Sequence, residues 1–144
     1  MKKTRKMVRL LATAASLLMA AVLVVGAAAA PDPFKGTWYS VDKDKSNQTL
    51  RIGGGPGNSY HVRYYDDGAS VCETPRPDYG GPWLYAASAS GTLEASASGL
   101  VLSGNLPVYC LAHPRYLYAN GDFRYTYDSV EDTLTDQHGN IWTH

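Results

Sequence analysis

The chain has 144 residues, 13 Lys+Arg against 13 Asp+Glu for a formal net charge of zero, two cysteines, and 11 tyrosines among its aromatic residues. At roughly 100–150 residues per domain this is one small domain, which excludes a multidomain enzyme. Five of the basic residues and none of the acidic ones precede residue 30, so the rest carries eight Lys+Arg against 13 Asp+Glu, a net charge of −5; no nucleic acid is expected as a partner, because such a binder needs a basic stripe.

Lys2, Lys3, Arg5, Lys6 and Arg9 lead into an apolar segment over residues 10–25, followed by Gly26 and four alanines. This is the layout of a secretory signal-peptide helix. The cationic end stays on the cytoplasmic side, the apolar helix enters the bilayer, and Ala27 and Ala29 place small side chains at the −3 and −1 positions. Cutting after Ala30 would put Pro31 at +1, so the cut is expected after Ala29, giving a leader over 1–29 and a domain over 30–144. An uncleaved anchor is the alternative, since about 20 apolar residues span a bilayer. The alanine-rich end, with no charged stop beyond it, favours cleavage. The domain is then secreted or extracytoplasmic, with no stable membrane span.

From Pro31 onward the apolar pattern has period two, and no stretch of ten or more residues shows helical recurrence. Strands are expected over 36–41, 48–52, 60–65, 69–73, 83–89, 91–97, 100–106, 108–111, 123–128, 133–136 and 141–143. Turn signals separate many of them: Asp66-Asp67-Gly68, Ser90-Gly91, Ser98-Gly99, Asn120-Gly121-Asp122 and the stretch from Gln137 to Asn140. Asp42-Lys43-Asp44-Lys45-Ser46 reads as a charged hairpin turn. Residues 53–58 are a glycine-rich loop between strands without the lysine of a phosphate loop. Residues 74–82 form a proline-rich loop that suits a lid or a recognition surface. The fold expected is all-β, a single small antiparallel meander that closes into a barrel to cover its edges, with a β-sandwich as the alternative.

Cys72 and Cys110 are the only cysteines, 38 positions apart in an exported domain. They are expected to pair as a structural disulfide, since neither a Cys-X-X-Cys redox motif nor a zinc-ligand spacing is present. The aromatics alternate as a core would: Phe123, Tyr125 and Tyr127 share one strand face, and Leu93, Ala95 and Ala97 share another. With so many tyrosines, some hydroxyls are expected at a surface or lining a cavity, because each buried one needs a partner. Arg63, Tyr65, Trp83 and Tyr85 are the candidate ligand-binding residues.

No catalytic residue is assigned. A zinc-protease helix needs His at i and i+4, and a nucleophile elbow needs Gly-X-Ser-X-Gly; neither occurs. The acidic turn at residues 42–46 lacks the Gly and Glu of a calcium loop at the required positions. Neither a metal nor a cofactor is expected.

Gly36-Thr37-Trp38-Tyr39 resembles the opening of lipocalin and avidin barrels, which hold a small ligand inside. The resemblance implies a structural role for Trp38 at one end of the barrel. It does not imply biotin, since Ser40 and Asp44 stand where the avidin pattern has Asn and Ser. More widely, Gly-Thr-Trp-Tyr-Ser-Val-Asp-Lys-Asp, Ala-Ser-Val-Cys, Tyr-Cys-Leu and Asp-Thr-Leu-Thr-Asp with Trp142 resemble small exported bacterial all-β domains. That resemblance brings no activity with it, and Trp142 is taken as structural. The function expected is non-enzymatic binding of a small apolar molecule or a glycan. A cell-envelope structural or interaction domain meeting an envelope protein is the second reading, and a small secreted hydrolase the third.

Overall fold

The computed structural model describes residues 31–74 and 83–144. The leader over 1–29 and nearly all of the proline-rich loop, 75–82, lie outside the described residues. Eight strands follow in chain order: β1 (Gly36–Val41), β2 (Asn47–Gly54), β3 (Ser59–Thr74), β4 (Trp83–Ala95), β5 (Val101–Cys110), β6 (Tyr116–Asp128), β7 (Thr133–Asp136) and β8 (Ile141–Trp142). Each pairs antiparallel with its neighbours in sequence, in one sheet ordered β1 to β8. The sheet curls until its ends meet: Tyr39 N–H donates to Thr143 O at 2.7 Å and Thr143 N–H donates to Tyr39 O at 3.0 Å. The result is a nearly closed up-and-down barrel, and no helix occurs among the described residues.

Three of the expected turns lie inside long strands. Asp66-Asp67-Gly68 is a bulge in β3, where the pairing with β4 slips between Asp66 and Ala69 and Asp66 Oδ1 accepts Gly68 N–H at 3.0 Å. Ser90-Gly91 and Asn120-Gly121-Asp122 run extended through β4 and β6. There glycine answers crowding: a Cβ at Gly91 would stand 2.7 Å from Leu106 Cδ2, and one at Gly121 would stand 3.1 Å from Val108 Cγ2. Real turns sit at Ser98-Gly99 and Gly139, where φ is 68° and 84° and only glycine is at ease.

Strand alternation sorts the side chains into rungs on the inner face. Trp38, Leu50, Tyr64 and Ala89 lie opposite one another across β1 to β4, and the next inward rung is Ser40, Gln48, Asp66 and Ala87. The first rung belongs to a core with Phe34, Ile52, Val62, Leu93, Leu102, Leu106, Phe123, Tyr125, Leu134 and Trp142. Trp38 is fully buried and donates its indole N–H to Phe34 O at 2.9 Å. Phe34 in turn packs edge-on to Tyr60 and Tyr127, with centroids 5.4 and 6.3 Å away, and these rings plug the end of the barrel where the chain enters.

Cys72 on β3 is bonded to Cys110 on β5, Cα to Cα 5.4 Å. With Ala69 and Ala87 they form a second, smaller core that ties two strands together across β4. A disulfide of this kind is consistent with an oxidising, extracytoplasmic compartment.

Candidate ligand-binding cavity

In a meander every second connection falls at the same end. The β1–β2, β5–β6 and β7–β8 connections therefore gather opposite the Phe34–Trp38 plug, and at their end the barrel opens into a cavity of about 680 Å³. Its origin is compositional. The lower inward positions hold Leu50, Leu93 and Leu102, whereas Ala69, Ala87, Ala119 and Gly121 line the upper part. A sheet held by its ladder cannot collapse onto such small groups, so the space stays open, within the range of small-molecule sites.

Aromatic rings floor the cavity. Tyr64 packs against Phe123 and Trp142 with centroids 5.5 and 6.2 Å away, and Tyr125 meets Trp142 edge-on at 5.8 Å. Burial pushes the Tyr64 hydroxyl far above the ordinary tyrosine range, with the adjacent Asp66 charge adding to it. Tyr125 is raised likewise, by burial first and by Asp136 second. Both hydroxyls are therefore neutral donors at any physiological pH.

Above the floor stands a polar wall. Asp66, only 3% exposed, accepts from the Tyr64 hydroxyl at 3.1 Å and from Gln48 Nε2 at 3.3 Å, while Gln48 Nε2 also donates to Tyr64 Oη at 3.1 Å. This fixes the amide orientation, because the flipped form would set Gln48 Oε1 against the carboxylate. Gln48 Oε1 is left buried with no partner. Across the mouth, the β7–β8 turn wraps around Asp136. Its Oδ1 accepts the backbone N–H of His138 and of Asn140, both at 2.9 Å, and its Oδ2 accepts Asn140 Nδ2 at 3.1 Å and the Trp142 indole N–H at 3.2 Å. Asn140 Nδ2 also reaches Asp42 Oδ1 at 3.3 Å, joining that turn to β1–β2.

The wall is low on one side. β6 pairs with β7 only from Tyr125 to Asp128, so its upper half has no strand beside it there. The Gln137 side chain fills in for one: Arg124 N–H donates to Gln137 Oε1 at 3.0 Å and Gln137 Nε2 donates to Asp122 O at 2.9 Å. The cavity thus opens upward and beside this clasp.

Of the residues singled out from the sequence, Arg63 and Tyr65 alternate with Tyr64 and Asp66 and lie exposed on the outer surface. Tyr85 is half-buried against the disulfide cluster. Trp83 opens β4 opposite Thr74, and its side chain lies outside what is described. None of Arg63, Tyr65 and Tyr85 lines the cavity; Trp142, taken as structural, does. The residues that sequence reasoning missed are Gln48, Asp66, Tyr125 and Asp136, with Tyr64 passed over for its neighbour Tyr65. A readable signal existed for three of them: Gln48 shares a strand face with Leu50 and Ile52, Asp136 shares one with Leu134, and Tyr125 shares one with Phe123 and Tyr127. Among the described residues no cluster of three or more His, Cys, Asp or Glu is placed to hold a metal ion. No known family model, curated protein or solved structure matches this chain.

Proposed function

We propose that this chain is an exported binding barrel that holds a small molecule in the cavity over Tyr64, Phe123, Tyr125 and Trp142. The observation that carries the reading is the void itself, aromatic below and polar at its rim, which is the common make-up of small-ligand sites. The sequence reading of a leader cut after Ala29 supports work outside the cytoplasm, and the Cys72–Cys110 bond is consistent with it. Native mass spectrometry of the protein recovered from culture medium tests both points. The expected result is a chain beginning at Ala30 that carries a bound small molecule, and a variant Ala119→Phe, filling the void from an exposed inward position, that does not. A chain devoid of ligand that binds nothing from cell extract, in wild type and variant alike, overturns the reading.

A second reading, glycan binding on the outside, is favoured by one feature. Tyr39 and Tyr65 are 53% and 45% exposed and stand on one outer rung, on either side of Thr49, where two rings separated by one strand can stack on successive sugars. Loss of glycan-array binding in Tyr39→Ala with Tyr65→Ala, with cavity binding intact, would move the function to that face.

A further inference from the structure

The cavity also carries information about the charge of its occupant. Its lining holds five carboxylates, at Asp42, Asp44, Asp66, Asp122 and Asp136, against one ammonium at Lys43 and one imidazole at His138. Burying a carboxylate normally demands a counter-charge. Asp66 has none: its partners are the Tyr64 hydroxyl, the Gln48 amide and Gly68 N–H, all neutral. Asp136 is held the same way, by backbone N–H groups, an amide and an indole. Among the described residues the one ion pair is Lys35–Asp32, which contains none of these carboxylates.

A second, independent observation points the same way. Gln48 is 5% exposed and lines the cavity, and its Oε1 is an acceptor with no donor to serve it. The wall thus offers unserved acceptors and unbalanced negative charge, while the floor offers the π-faces and edges of four rings. An occupant matched to all three has an N–H-bearing cationic head and an apolar body, since a cation is drawn both to a carboxylate and to an aromatic face. An inorganic cation would leave the rings unused, and a carboxylic acid would face like charge.

Building on the binding reading above, we propose that the ligand is a small organic amine, its ammonium group between Asp66, Asp136 and Gln48 Oε1 and its apolar part over Tyr64, Tyr125 and Trp142.

The test uses three probes of one shape, 2-phenylethylamine, 2-phenylethanol and 3-phenylpropanoate, titrated calorimetrically into the ligand-stripped, disulfide-intact domain. The expected order is amine tightest by tenfold or more over the alcohol, with the carboxylate not bound. Asp66→Asn and Asp136→Asn should each lower amine affinity about tenfold and leave the alcohol unchanged, and raising salt should weaken only the amine. This comparison needs no variant to fold, because the wild type alone ranks the probes. Equal binding of amine and alcohol overturns the charge inference and leaves the cavity reading standing. Tighter binding of the carboxylate overturns it as well. Failure of all three, together with no ligand in native mass spectrometry, overturns both.

Discussion

Gln48 and Asp66 face each other from adjacent strands with amide nitrogen and carboxylate oxygen 3.3 Å apart, and the contact leaves the other end of the amide, Oε1, without a partner. A buried unpaired acceptor costs roughly 1–3 kcal/mol, about what the two hydrogen bonds from Nε2 return. Replacing Gln48→Met removes both at nearly constant volume. Folding stability should therefore change by less than about 1 kcal/mol in urea titration, while amine affinity falls. A loss well above that in stability would show that the amide is a structural strut and not a ligand contact.

Tyr64 and Tyr65 are neighbours on β3 that face opposite ways. Tyr64 lies between Phe123 and Trp142, and Tyr65 is exposed on the outer surface. Truncating a large buried ring costs about 3–5 kcal/mol, and an exposed one about 0.5 kcal/mol or less. Tyr64→Ala should accordingly shift the urea midpoint strongly and Tyr65→Ala hardly at all. Equal shifts would mean that β3 sits one residue out of the register described.

The same pair shows where the sequence stops being legible. Barrel topology was readable because the neighbouring strands are joined by local connections, with turn chemistry at residues 42–46, at Gly99 and at Gly139. The core face of β6 was readable from the alternation of Phe123, Tyr125 and Tyr127. Residues 60–65 put bulky groups on both faces, so nothing local decides whether Tyr64 or Tyr65 points inward. That choice is made by pairing, which sets Tyr64 on the rung of Trp38 and Leu50. The choice carries the site with it, because Asp66 follows Tyr64 inward while Arg63 and Tyr65 go out together. Strand lengths failed for a related reason: Asp-Gly and Asn-Gly pairs serve a bulge or a close approach as readily as a turn.

Cys72 and Cys110 enclose a long loop that contains all of β4. On the loop-entropy model such a bond contributes about 3–4 kcal/mol. The double variant Cys72→Ala with Cys110→Ala should lose that amount in urea unfolding, and the wild type should lose a similar amount on reduction. An unchanged midpoint in both would show that the small cluster around Ala69 and Ala87 holds the strands without the bond.

Alkaline pH should unfold the domain through two particular hydroxyls. Tyr64 and Tyr125 have folded pKa values raised far above 10.0, the ordinary value to which they return in the unfolded chain. A raised folded value means that the stabilisation is complete below pH 10 and declines above it, because the unfolded chain releases protons that the folded one retains. Each group contributes a slope approaching about 1.4 kcal/mol per pH unit. Stability measured from pH 9 to pH 12 should fall accordingly, and Tyr125→Phe should make the fall shallower. An alkaline slope untouched by that substitution would assign the effect to other groups.

The pair of hydrogen bonds between Tyr39 and Thr143, helped by Ser40 Oγ donating to Ile141 O at 2.8 Å, closes a ribbon whose other pairings all join strands adjacent in the chain. Seven hairpin pairings can form locally, but this one must bring together residues about a hundred positions apart, with the full loop-closure entropy against it. The closure is therefore expected to form late in folding and to open early in the native molecule. Hydrogen exchange at the Tyr39 and Thr143 amides will run ahead of exchange in the β2–β3 ladder. Such an opening would part the wall next to Asp136 and Trp142, making the barrel's one non-local join a side door to its interior.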